Sequence, residues 1–144
     1  MLIGKSFHAL DEKDRVVIPS KFRGDFLVEG EAKCVVSWGN GPYLVIHTMA
    51  SWDKVKEHLA NLPGNDRGAR YYKTKILGEA EFYRLDKQGR IMLSQSHKEH
   101  ARLDKDVVLL GMDESVHLYS KEVWESNESE HEPHFETYAN QWGL

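Results

Sequence analysis

Leu10-Asp11-Glu12-Lys13-Asp14-Arg15-Val16-Val17-Ile18 returns as Leu85-Asp86-Lys87-Gln88-Gly89-Arg90-Ile91-Met92-Leu93, 75 positions further along the chain. Phe7 falls on Phe82 in the same register. Downstream the match shifts to 72 positions: Val35-Val36 on Val107-Val108, Gly39 on Gly111, Leu44-Val45-Ile46 on Val116-His117-Leu118, and Trp52 on Trp124. The order hairpin, short helical stretch, strand, glycine turn, strand and helix start therefore occurs twice. Self-similarity kept over this length predicts two tandem copies of one supersecondary unit.

Each copy reads as β-structure. Val16-Val17-Ile18 and Ile91-Met92-Leu93 are short apolar runs directly after a turn, the pattern of buried strands. Asp86-Lys87-Gln88-Gly89 has Asp first and Gly fourth, as in a type I turn that ends on a residue of positive φ. Asp14 takes the place of that glycine in the first copy, at a cost of about 1 kcal/mol for the left-handed backbone. Gly89 thus predicts the better-formed tip at Arg90. Second hairpins are expected from Val35–Trp38 and Leu44–His47 around Gly39-Asn40-Gly41-Pro42, and from Val107–Leu110 and Ser115–Tyr119 around Gly111-Met112-Asp113-Glu114.

Helices join and follow the copies. Thr48 can cap a helix whose Trp52, Val55, Leu59 and Leu62 form one apolar stripe, ended by Pro63-Gly64-Asn65. A second helix is expected from about Asp66 to Leu77, with Ala69, Tyr72 and Ile76 on one side. Trp52 and Trp124 suit core or subunit-interface anchors. The expected organisation is a first repeat at 5–50, connecting helices at 51–78, a second repeat at 79–125 and an acidic tail at 126–144. That tail reads either as a flexible segment or as a late helix carrying Phe135, Tyr138 and Trp142, and the three aromatics favour partial order.

Composition narrows the function classes. No stretch approaches the ~18 consecutive apolar residues of a membrane helix. The N-terminus lacks the charged and apolar regions of a signal peptide, which predicts a cytoplasmic protein. Cys34 is the sole cysteine, set in an apolar run, and reads as a small buried side chain. The net charge of −4 is uneven: residues 120–144 carry Lys121 against six glutamates, −5, which leaves +1 for residues 1–119. A near-neutral body can still present a local basic patch to phosphate. His97 and His100, and His131 and His134, lack a third ligand at zinc spacing, so solvated histidines and no metal are expected. No Gly-x-Ser-x-Gly elbow, phosphate-cradling loop or His-Glu-x-x-His motif is present, which argues against an enzyme and implies no cofactor.

The doubled Asp-x-x-x-Arg motif, with Ile18-Pro19-Ser20-Lys21-Phe22-Arg23 after its first copy, resembles the MraZ family, kin to AbrB-like regulators and MazE-type antitoxins. The resemblance covers roughly residues 1 to 125. Asp14 stands where the family usually has Gly, and Ser94 where it usually has Pro. Membership implies a β-rich α+β fold, a double-split β-barrel of swapped hairpins built from two pseudo-symmetric repeats. It also implies ring-shaped homo-oligomers that bind direct repeats in promoters of division and cell-wall genes, with double-stranded DNA as the partner.

Chemistry makes the motif suitable for that partner. A β-ribbon or its tip can enter the major groove, where Arg pairs bidentately with guanine. Arg15 and Arg90 are the candidates for this role, and Lys13 and Lys87 near the tips suit phosphate. Asp11 and Asp86 are expected to accept turn N–H groups or to orient the arginines. A hairpin salt bridge with no ligand explains the same pairs equally well from sequence alone. Lys21 and Arg23 are further contact candidates, with a solvated helix face as the competing reading. An antitoxin-like or scaffolding oligomer that binds a protein partner is the alternative function.

Overall fold

The two strands that flank each Asp-x-x-x-Arg turn pair with the other repeat, not with one another. This is seen in a computed structural model that describes all 144 residues. The first repeat contains β1 (Leu2–Ala9), β2 (Arg15–Val17), α1 (Ser20–Arg23), β3 (Leu27–Val28), β4 (Glu31–Trp38) and β5 (Leu44–His47). The connecting helices are α2 (Met49–Ala60) and α3 (Arg67–Gly78). The second repeat contains β6 (Glu81–Arg84), β7 (Arg90–Met92), α4 (Gln95–His100), β8 (Asp106–Asp113) and β9 (Ser115–Ser120), followed by α5 (Lys121–His131) and α6 (Phe135–Trp142).

Four antiparallel pairings cross between the repeats, β5 on β9 and the three swapped pairs that flank the turns. β1 lies on β8 with Phe7 opposite Val108, β6 lies on β4 with Phe82 opposite Val35, and β2 lies on β7 with Val16 opposite Ile91. The local hairpin expected around each turn is therefore corrected. The turn is local, but its flanking strands find their ladder partners far along the chain, Val16 at Ile91, Phe7 at Val108 and Phe82 at Val35. The remaining strands form an open antiparallel sheet in the order β1-β8-β9-β5-β4-β3, with β6 on the other side of β4, and β2–β7 stands apart as a two-stranded ribbon. The fold is β-rich α+β.

These pairings also correct the repeat alignment by one residue. Phe7 and Phe82 correspond, so their partners Val108 and Val35 correspond, and Val35 does not match Val107. A one-residue slip exchanges the two faces of a strand. Cys34, Val36, Val107 and Leu109 all enter the central core, whereas Val35 packs on the opposite face with Trp52, Leu59 and Ile76. Gly111 is likewise not a turn residue. It sits inside β8, where a β-carbon would overlap the backbone of Leu2 and Ile3 in β1, and the turn falls at Asp113-Glu114.

One core serves both repeats. Leu2, Val16, Ile18, Phe22 and Phe26 from the first repeat meet Ile91, Leu93, Val107, Leu109 and Leu118 from the second. Burying each large side chain contributes about 1.5–3 kcal/mol, so neither repeat keeps its apolar surface covered alone. The opposite sheet face carries α2 and α5 at matching positions. Thr48 accepts the Ser51 N–H and Ser120 accepts the Val123 N–H, capping these helices in the same way. Trp52 packs on His47 at 5.4 Å and Trp124 on Tyr119 at 5.5 Å. Of the stripe expected on α3, Ile76 is buried but Tyr72 is exposed. α5 continues past residue 125, and the C-terminal aromatics ride on α6, exposed.

Candidate nucleic-acid interface

Asp11 and Asp86 build the two tips in the same way. Asp11 Oδ1 accepts the backbone N–H groups of Lys13 and Arg15, both at 2.9 Å, and its Oδ2 accepts Arg15 Nε–H at 2.7 Å. Asp86 Oδ1 accepts the N–H groups of Gln88 and Arg90 at 2.9 Å, and its Oδ2 accepts Arg90 Nε–H at 2.8 Å. The spacing of four residues is what lets one carboxylate cap the turn and grip the arginine that leaves it. These bonds, led by the backbone N–H of Arg15 and of Arg90, hold both carboxyls below the usual Asp range. The glycine at position 89 predicts a better-formed second tip; instead the two match within 0.1 Å in every one of these bonds.

Each guanidinium has its Nε fixed by its own aspartate; the outer nitrogens of Arg15 remain for other partners, whereas those of Arg90 meet neighbours within the protein. The side chains are 28% exposed at Arg15 and 24% at Arg90, enough to meet a ligand at the surface. Arg90 Nη1 also reaches Asp11 at 3.8 Å, and Arg90 Nη2 donates to Gln88 Oε1 at 3.2 Å. Lys13, Arg15, Arg84, Asp86 and Arg90 line one shallow groove beside the ribbon. Arg84 is not singled out by the sequence. It lies on β6, an edge strand of the sheet, and no motif marks it. Lys13 and Lys87 are exposed at the tips.

The other two candidates point elsewhere. Lys21 is held over β1, with Nζ 3.4 Å from the Lys5 carbonyl and 5.1 Å from the Phe22 ring centre. Arg23 donates from Nε to the Ile18 carbonyl at 2.8 Å and lies against Gly89, so it backs the second tip. A β-carbon on Gly89, which has φ 76°, would overlap that guanidinium. Ser94 caps α4 by accepting the His97 N–H at 3.1 Å.

The histidines of α4 are not solvated, contrary to expectation. His97 is fully buried on the inner side of α4, as is Ala101 just after the helix ends, and His100 stacks on Trp38 at 4.0 Å. His131 and His134 are exposed. Cys34 is buried, and burial pushes its thiol up to about 12.

The duplication also appears in comparisons with known proteins. The profile of the antitoxin-like MraZ protein family matches the chain twice, over residues 1–74 and 76–141. The chain belongs to the MraZ family. A Caldanaerobacter subterraneus protein named transcriptional regulator MraZ is 37% identical over 139 residues, covering 96% of this chain and 94% of the relative. The Lachnoclostridium phytofermentans protein of that name is 35% identical over 144 residues, covering 100% and 99%. The Hydrogenovibrio crunogenus one is 34% identical over 122 residues, covering 84% and 80%. These MraZ relatives are named as regulators of transcription, not as enzymes. No helix is long and apolar enough to cross a membrane.

Proposed function

We propose that this chain is a DNA-binding regulator of transcription that reads DNA with its two Asp-clamped arginine tips. The observation that carries the reading is the pair of matching tips on one ribbon, with both guanidiniums partly open and lysines beside them. Arg15 and Arg90 take the base edges, where a bidentate pair with guanine discriminates by about 1–3 kcal/mol. Lys13 and Lys87 take phosphate, while Arg23 supports the second tip from behind and Lys21 stays over β1. Asp11 and Asp86 fix the orientation of the arginines before DNA arrives, which lowers the ordering cost of binding.

The finer points follow from kinship with the MraZ family. The swapped pairings β1–β8, β4–β6 and β2–β7 support a double-split barrel of interleaved repeats. One protomer offers few contacts, so a ring that presents many tips to direct repeats gains through effective concentration. The targets are promoters of division and cell-wall genes, its own operon included, and the protein works in the cytoplasm at the nucleoid.

A band-shift titration on the promoter of its own operon, at two salt concentrations, tests this reading. Wild type is run beside Arg15→Ala/Arg90→Ala. Salt-sensitive binding that is lost in an intact, still oligomeric double mutant supports it. Neutralising Z phosphates gives a log–log salt slope of about −0.9Z. No specific shift by wild type would overturn it in favour of a protein partner for the tips.

A further inference from the structure

Asp14 and Gly89 occupy the same point of the two turns, and both adopt positive φ, 57° and 76°. Each is met by a cation from the short helix of the other repeat, at matching positions. Arg23 of α1 lies against Gly89, and Lys98 of α4 donates from Nζ to Asp14 Oδ2 at 2.7 Å. The backbone follows the same exchange: Ile18 N–H donates to the Gly89 carbonyl at 2.8 Å, and Leu93 N–H donates to the Asp14 carbonyl at 3.0 Å.

The two turns solve one problem differently. Glycine reaches the left-handed region freely and leaves room for a guanidinium. Aspartate reaches it with modest strain but adds a carboxylate next to Arg15. Left bare, that charge would oppose a polyanion at the tip. Lys98 is only 20% exposed and sits 84 residues from its partner, so the pair links α4 to the first tip across the repeats.

We propose that Lys98 is a positioning residue of the first tip: it neutralises Asp14 and steadies the turn that presents Arg15, and it does not itself touch phosphate. The inference rests on the DNA-binding reading above. It predicts that the need for Lys98 exists only while residue 14 is an aspartate.

The test is a cycle of wild type, Lys98→Ala, Asp14→Gly and the double variant, with affinity for the promoter fragment read at several salt concentrations. Lys98→Ala is expected to weaken binding about tenfold when Asp14 is present, as a misplaced base-reading arginine would, and less than about twofold in the Asp14→Gly background. Lys98→Arg should restore most of the loss. An equal loss in both backgrounds, with the salt slope reduced by about one, would make Lys98 a phosphate contact and overturn the proposal. Amide exchange in the free protein separates this from a failure of the DNA reading. Lys98→Ala should speed exchange at Leu93 N–H, and unchanged exchange there would overturn the positioning role whether or not DNA binds.

Discussion

Arg90 Nη1 stands 3.8 Å from the carboxylate of Asp11 in the other repeat, while its own Nε holds Asp86 at 2.8 Å. Asp11 therefore faces two guanidiniums, Arg15 at 2.7 Å and Arg90. The two tips form one electrostatic unit, and the link runs in one direction only: the structure gives Arg15 no matching contact with Asp86.

That asymmetry is measurable. Arg15→Ala and Arg90→Ala should each weaken specific DNA binding by a similar factor, about five- to a hundredfold, because the tips are equally well formed. Asp11→Asn and Arg90→Ala should combine non-additively by a factor of about three, whereas Asp86→Asn and Arg15→Ala should multiply simply. Quantitative band shifts on the two cycles decide this. Equal coupling in both would remove the special place given to Asp11.

Acid should loosen the tips. Hydrogen bonds from turn N–H groups and from the arginine side chains hold Asp11 and Asp86 below the usual carboxylate range. A depressed native pKa means that the stabilisation is fully present above the ordinary Asp value and is lost as pH falls through the native one. Urea midpoints between about pH 6 and pH 2 should fall less steeply for Asp11→Asn/Asp86→Asn than for wild type. Parallel curves would show that these carboxylates do not contribute.

The duplication, the Asp-x-x-x-Arg turns and helices α2 and α3 are legible in the sequence, because apolar spacing, caps and turn residues are local signals. Thr48 and Asp66 do cap those helices. Strand exchange is not legible in the residues, since Val16 carries no mark that selects Ile91 over its own neighbour β1; only the family resemblance implies it. The strand register read from sequence is off by one because Val35-Val36 and Val107-Val108 are identical pairs, and only cross-strand partners tell which valine faces the core. Contacts of long separation, such as Lys98 with Asp14, lie beyond any local pattern.

Gly89 and Gly30 separate backbone strain from crowding. Both have positive φ, 76° and 84°, but a β-carbon on Gly30 meets nothing within 4 Å, whereas one on Gly89 meets Arg23. Gly30→Ala should cost about 1–2 kcal/mol, the left-handed penalty alone. Gly89→Ala should cost more than that and should also weaken DNA binding, because Arg23 must move from the tip. Urea denaturation and band shifts of the two variants check this. Equal stability losses with unchanged binding would mean that Arg23 moves aside freely.

His47 gives the fold a second pH dependence, away from the tips. Its ring is buried on the face beneath α2, with Nε2 2.9 Å from Ser37 Oγ and Nδ1 3.1 Å from Ser51 Oγ. In the second repeat the matching positions are Leu110, Tyr119 and Val123, so this polar unit breaks the pseudo-symmetry. Burial, helped by the nearby His117, lowers the His47 pKa from 6.5 to about 4. The neutral ring is thus the folded form, and an unfolded chain takes up the proton first as pH falls. Stability should be full above about pH 6.5, decline between there and about pH 4, and lose on the order of 3 kcal/mol in total. Urea midpoints over that range, compared with His47→Gln, measure the His47 share, and the ring resonances should titrate near 4. A His47 resonance that titrates near 6.5 would mean that the ring reaches water in the native state and that the Ser37–His47–Ser51 unit is not closed.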